Sequence, residues 1–469
     1  MIIFKNISSW SLPDLLDIPF KIIIYFTLIG TLDKFQFGLL NIAMMIFSYQ
    51  AISQIGIVDW LMYELPKKYA LNVQSDSLIA ESYSFVFFNQ LILAIITMLM
   101  VFIFGNSSLF FKLACGAYLL HTIFYNNYLH RKLYLRFNHN FSKLLNIQLY
   151  HVSLKFILEL SALYFFGIYA FLGVQALIFL IPILLFKANK NIKLYDPNWI
   201  SNYKFLIFKG LPFFIVILMS TILANLDKWF IVGFFGIENF AIYSVGAFII
   251  TGIMILPGKI LSIFIQYMKE MFTLSSDLNL NINRSFSINN VLIYFFACLS
   301  LLLNYLSGYL SVLIPEYQEV IPLLNLFLLA SILKYGVSLT SNILYLIGKR
   351  ALVAKIQILI TLCYLIFLSI AINNFTDMSS VLLTMCCVLF VQIFINLVLV
   401  LMHQGALITH EIFKFFCITL SVLIFLYSYQ LAQDKFLLFA CFVSLTMISL
   451  LNIKQTWSNF AYLAYRRFS

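Results

Sequence analysis

The side chains of this chain that could do chemistry are few, and they lie where charge is costly. Lys21, Lys155, Glu159, Asp227, Lys228 and Lys334 all fall inside long apolar stretches. An ionisable group at the centre of a bilayer costs about 3 kcal/mol on insertion scales, so each needs a partner or a water-filled cavity. Lys155 and Glu159 stand four residues apart and share one helical face, where they can neutralise each other. That spacing fits a structural ion pair first, and a site in a cavity as the alternative. Lys21 lies only a few residues into the first apolar stretch, so it either snorkels to headgroups or turns inward. Lys334 is too deep to snorkel. A lysine in a wet cavity attracts an anionic group such as a lipid diphosphate, because an ammonium meets phosphate as a point charge.

Amides complete the inventory. Asn225 and Asn342, with Gln50, Gln54 and Gln392, also fall within apolar spans. Such groups either bond helix to helix or meet sugar hydroxyls. The adjacent Asp227 and Lys228 admit two roles as well, a contact that sets conformation or a place in the binding site. Pro212, Pro257, Gly246, Gly252 and Gly258 mark places where helices could kink.

Other chemistries find no support. All seven cysteines lie in apolar stretches and behave as small hydrophobes, and the six histidines show no metal-ligand spacing. Neither a metal nor a disulfide is expected. No Gly-x-x-x-x-Gly-Lys phosphate loop and no Asp-x-Asp pair occurs, and the predicted outer loops are short. A transport protein is therefore expected, not an enzyme. The formal charge of +11 includes no basic run long enough for nucleic acid.

The elements that must carry these residues follow from composition. The chain is 63% hydrophobic and 10% charged, far from a soluble domain, and its mean hydropathy is +0.98. Taking about 20 apolar residues per crossing places helices near 15–31, 37–58, 83–104, 109–129, 144–166, 168–187, 208–231, 238–260, 288–311, 320–347, 352–372, 379–402, 411–430 and 434–453. Spans this continuous exclude a barrel, so the fold class is all-α, a polytopic membrane bundle of about fourteen helices. Lys and Arg gather in alternate loops, among them Lys67, Lys68, Arg131, Lys132, Lys190, Lys349 and Arg350, whereas Lys34, Lys112 and Lys435 are alone in the opposite set. This asymmetry puts both termini in the cytoplasm.

Shifting the chain by about 200 residues carries early helices onto later ones in the same orientation, a parallel repeat of the kind transporters use around a midplane site. The expected organisation is one six-helix lobe over 1–195, a second over 196–404, and an extra pair with a tail over 405–469.

Three segments carry a resemblance. The first runs from Phe37-Gly38-Leu39 through Ile55-Gly56-Ile57-Val58-Asp59 to Leu65-Pro66-Lys67-Lys68. The second is Asn225-Leu226-Asp227-Lys228-Trp229 through Gly233 and Gly236 to Tyr243-Ser244. The third is Tyr317-Gln318-Glu319-Val320-Ile321-Pro322-Leu323-Leu324. Together they resemble the Wzx-type O-antigen and polysaccharide flippases of the multidrug/oligosaccharidyl-lipid/polysaccharide exporter superfamily. That family often has Arg where this chain has Lys228. The resemblance implies two lobes, alternating access, and an undecaprenyl-diphosphate-linked oligosaccharide moved to the outer leaflet of a bacterial inner membrane. It implies no bound cofactor, with a proton or sodium gradient as the driving force. Membrane lipids and the polymerase and chain-length regulator of the same pathway are the implied partners. A cation-coupled exporter of the same superfamily, or a membrane-embedded polymerase, is the alternative.

Overall fold

The computed structural model describes residues 2–70, 76–104, 108–137, 141–187, 196–252, 254, 309, 312, 314–374 and 377–404. The expected spans at 411–430 and 434–453, nearly all of 288–311, and the kink positions Pro257 and Gly258 lie outside those residues. Among the described residues the chain is helical, without a strand. The helices are α1 (Ile2–Thr31), α2 (Lys34–Ser48), α3 (Ile57–Ala70), α4 (Asp76–Phe104), α5 (Leu109–Phe137), α6 (Phe141–Ser161), α7 (Gly167–Leu177), α8 (Leu180–Lys187), α9 (Trp199–Phe234), α10 (Ile237–Gly252), α11 (Ile321–Leu346), α12 (Arg350–Asn374) and α13 (Met378–Gln404). Seven stretches among the described residues are long and apolar enough to cross a membrane.

Of three interruptions, two depart from the continuous spans expected, and the other falls at the expected boundary between 144–166 and 168–187. The first stretch, expected as one helix over 37–58, leaves α-helical form at Ser48, passes through a 3-10 turn over Tyr49–Gln54, and reverses at Ile55 and Gly56. Both residues have positive φ, 46° and 69°. The reason is a close backbone crossing. A Cβ on Gly56 would strike the backbone of Gly210, Phe213 and Phe214, and one on Gly210 would strike the carbonyl oxygen of Ile55. Only paired glycines permit this approach.

The second interruption is a π turn over Ala162–Phe166 that ends at Gly167, whose φ of 77° and ψ of −170° only glycine adopts readily. It separates α6 from α7. The third falls at Ile178 and Phe179 between α7 and α8. Pro182 lacks the N–H that would bond the carbonyl of Ile178, so the helix loosens just before it.

The chain forms two compact units. The first comprises Met1–Ala241 with Gln357–Thr361, and the second Ile242–Ile356 with Leu362–Ser469. In the first, Ile57, Trp60, Leu61 and Leu65 of α3 pack with Phe85 and Val86 of α4 and Leu206 of α9. A second core joins Tyr128 and Leu135 of α5, Leu144 and Ile147 of α6, and Ile183 and Phe186 of α8. Phe20 of α1 stacks on Phe156 of α6 with ring centroids 4.1 Å apart, which fixes the register of those helices. In the second unit α11 packs on α13, and Tyr243 and Gly246 of α10 meet Phe327 of α11. Outward faces stay apolar, as at Ile92, Ile95, Leu99 and Ile103 of α4. A contiguous apolar surface of this kind belongs in lipid.

Candidate functional site

Three of the expected site residues come together in the first unit. α6 carries Lys155 and Glu159 on one face, and Lys155 Nζ lies 3.9 Å from the Glu159 carboxylate. The Glu159 side chain is almost fully buried, and Gln175 of α7 donates from Nε2 to its Oε1 at 2.7 Å. The Gln175 carbonyl oxygen is 2.9 Å from Nδ1 of His121 in α5. A carbonyl only accepts, so that nitrogen carries the proton. On α1, Lys21 pairs with Asp17 at 2.5 Å, and both charges act on Glu159 across the α1–α6 contact. Lys21 stays 43% exposed.

His151 extends this column by one turn, so that His151, Lys155 and Glu159 descend one face of α6 at four-residue steps. Its ring lies 4.7 Å from Phe179, which His121 also approaches at 4.9 Å. Phe179 sits at the α7–α8 break, so the interruption inserts an aromatic ring between the two histidines. α1, α5, α6, α7 and the break thus build one polar core in an apolar unit. It combines a buried acid, an ammonium 3.9 Å from it and two imidazoles, a set suited to binding a charged group or passing a proton.

A second group joins α2 and α9. Asn225 donates from Nδ2 to Ser48 Oγ and to the Thr221 carbonyl oxygen, both at 3.0 Å. Its Oδ1 accepts from Lys228 Nζ at 3.0 Å, and its side chain also bonds the Tyr49 hydroxyl. Trp229 Nε1 donates to the Tyr49 oxygen at 3.0 Å. Asp227, on the same turn of α9, is buried and acts electrostatically on Tyr49. Asn225, Asp227 and Lys228 therefore share one locale with Tyr49 and Trp229.

The second unit holds the remaining pair. Lys334 on α11 is exposed, and Cys386 of α13 feels its charge. Asn342 donates to the Ser338 carbonyl oxygen of its own helix at 2.7 Å. The amide that does bridge helices there is Asn396 of α13, bonded to Thr340 at 3.0 Å and Ser341 at 3.1 Å. Gln50 and Gln54 act between helices too, with Thr97 and Asn126.

Asp17, His121, His151, Gln175, Tyr49 and Trp229 were missed by sequence reasoning. The step of four from His151 to Lys155 to Glu159 was a usable signal. For Tyr49 and Trp229 there was none, since their meeting depends on the 3-10 turn after α2.

No family model matches the chain, and no curated protein matches it. Solved structures do. The lipid II flippase MurJ, in an inward closed conformation, superposes with a TM-score of 0.62 at 15% identity, covering 99% of this chain and 99% of that one. A eukaryotic MATE transporter gives a TM-score of 0.66 at 10% identity, covering 89% of this chain and 99% of its own. A Vibrio cholerae MATE transporter gives 0.61 at 13% identity, covering 88% and 98%. At these identities the likeness is one of fold, and this chain has the polytopic helical fold that the MATE transporters and the lipid II flippase share.

Proposed function

We propose that this protein is a flippase that carries an undecaprenyl-diphosphate-linked oligosaccharide from the cytoplasmic to the outer leaflet by alternating access of two six-helix lobes. The cargo would be a repeat unit of O-antigen, capsule or a related surface polysaccharide, as in the Wzx-type flippases. The observation that carries the reading is the end-to-end match to a flippase of a lipid-linked substrate, over 99% of both chains. The match to the eukaryotic MATE transporter leaves out roughly a tenth of this chain, a length near that of the expected C-terminal helix pair. A cationic side chain at depth adds support. Lys155 sits among polar partners in the first unit, where a diphosphate could be met.

In this reading the protein is not an enzyme and holds no cofactor or metal. It lies in a bacterial inner membrane with both termini in the cytoplasm, and works beside the polymerase and chain-length regulator of its pathway. A proton or sodium gradient drives it, with Glu159 as the acid placed to respond.

A cation-coupled exporter is the second reading, favoured by the TM-score of 0.66 to a MATE transporter and by the buried Glu159. Deleting the gene separates them. A flippase leaves lipid-linked repeat units on the cytoplasmic leaflet. Unpolymerised units on the outer leaflet would instead indicate a polymerase, and an unchanged distribution with new sensitivity to toxic cations would indicate the exporter.

A further inference from the structure

The group formed by Ser48, Tyr49, Asn225, Lys228 and Trp229 has a geometry that an ordinary helix contact does not need. Gly38 of α2 packs against Ile237, which fixes where the ends of α2 and α9 meet. Trp229 lies five residues before the end of α9 at Phe234, and Tyr49 eleven residues beyond Gly38, a depth of about 8–16 Å at 1.5 Å per residue. In a hydrocarbon core about 30 Å thick, that is inside the core. A tryptophan serving as an interfacial anchor sits at headgroup level instead.

At this depth the face is open. Trp229 is 40% exposed, Ser48 is exposed, and Tyr49 and Lys228 are half-buried. A partly exposed lysine inside the hydrocarbon core cannot face acyl chains without a cost of a few kcal/mol, so this face of the first unit is wet. The hydrogen bonds also fix the aromatic rings. The Trp229 indole N–H is held by Tyr49, the Tyr49 hydroxyl by Asn225, and Asn225 by Ser48 and the Thr221 carbonyl oxygen. The indole is thereby immobilised with part of its face bare and a lysine on the preceding residue. A fixed aromatic face beside amide, hydroxyl and ammonium groups is what a hexopyranose requires. One side of its ring is a patch of C–H bonds that rests on an aromatic plane, while its hydroxyls point outward to polar partners.

We infer that Trp229 and Tyr49 form a saccharide-stacking subsite, in which the Trp229 indole carries a sugar ring of the cargo and Lys228 and Ser48 meet its hydroxyls. The inference rests on the flippase reading and deepens it, by assigning these residues to the saccharide portion and not to the diphosphate. It also explains why a rigid tryptophan stands inside the core, where it meets the polar part of a lipid-linked substrate on its way across.

The test uses the full-length protein in lipid nanodiscs and two probes. One is the solvent-extracted polyprenyl-diphosphate-linked saccharide fraction of the cells that make this chain. The other is the same fraction after mild acid has stripped the saccharide. Wild-type protein is expected to bind the intact fraction at least tenfold tighter than the stripped one. Trp229→Leu is expected to lose about tenfold for the intact fraction and nothing for the stripped one. Trp229→Phe keeps an aromatic face but loses the bond to Tyr49, and should fall between wild type and Trp229→Leu for the intact fraction with no change for the stripped one, a split between probes that a merely packing role would not produce. Tyr49→Phe leaves both rings but frees the indole, and provides an intermediate loss should the leucine variant fail to insert. If wild type binds both fractions equally, or if Trp229→Leu and Tyr49→Phe bind the intact fraction as wild type does, the subsite is overturned while the flippase reading stands. If wild type binds neither fraction, the flippase reading falls and the subsite falls with it.

Discussion

Glu159→Gln separates the charge of Glu159 from its hydrogen bond. A carboxamide of the same shape still offers an oxygen to Gln175 Nε2, which lies 2.7 Å from the carboxylate. What disappears is the attraction to Lys155 at 3.9 Å. Unit charges at that separation attract by about 4 kcal/mol at an effective dielectric of about 20. Glu159 is only 1% exposed, so the desolvation of its carboxylate offsets most of that gain. The net change in stability is about 1 kcal/mol or less, a shift in Tm of no more than roughly 3 °C. Glu159→Ala differs, because it strands the Gln175 amide and opens a cavity, at a cost of about 2–4 kcal/mol. The assay pairs Tm of each purified variant in one detergent with surface polysaccharide in a deletion strain carrying that variant. The glutamine variant is expected to keep its Tm and lose more than tenfold of the polysaccharide, and the alanine variant to lose both. Wild-type polysaccharide from Glu159→Gln refutes a role for the charge in transport. A fall in Tm well beyond 3 °C for the same variant refutes the energetic reasoning.

Two further outcomes are expected. Gly210→Ala drives a methyl group into the Ile55 carbonyl oxygen, where neither backbone can withdraw. It should destabilise by about 2–4 kcal/mol, read as loss of the monodisperse peak in size-exclusion chromatography. Gly233→Ala, whose added carbon meets nothing within 4 Å, is the control. Lys334→Ala should abolish surface polysaccharide while membrane-inserted protein stays at its normal level on immunoblot, and unchanged polysaccharide would remove Lys334 from the site.

The helical class was readable because a bilayer tolerates only self-satisfied backbones, and runs of apolar residues near twenty long announce them. The described spans over 83–104, 208–231, 352–372 and 379–402 each fall within a helix of the structure, and the span over 320–347 exceeds α11 by one residue at each end. The interruptions were less legible. Ile55 and Gly56 sit in an apolar context that reads as continuous helix, and their reversal is imposed by Gly210, more than 150 residues away in sequence. A pairing that distant leaves no local periodicity. Pro182 was visible, but whether a proline kinks or breaks a membrane helix depends on the neighbours that accept the freed carbonyl.

The site divides the same way. Lys155 and Glu159 were evident from their spacing and their placement in lipid, and the ion pair exists. Gln175 and His121 were not evident, because an amide or an imidazole in an apolar run carries no sign of its partner. Asn342 shows the converse. Its amide pointed to a bridging or sugar-binding role, yet it turns back on Ser338 of its own helix, the local bond that asparagine readily makes.

The crossing of Ile55–Gly56 with Gly210 has a mechanical consequence for α9. Two residues beyond that crossing, Pro212 deprives the Phe208 carbonyl of its helical donor and leaves α9 most pliable there. A rigid bearing thus sits beside a soft joint, the arrangement of a lever on a fulcrum. Bending of α9 costs least at that joint, and the arm beyond it carries Asn225, Lys228 and Trp229 as one piece. Its swing would be felt first as strain in the bond from Asn225 to Ser48.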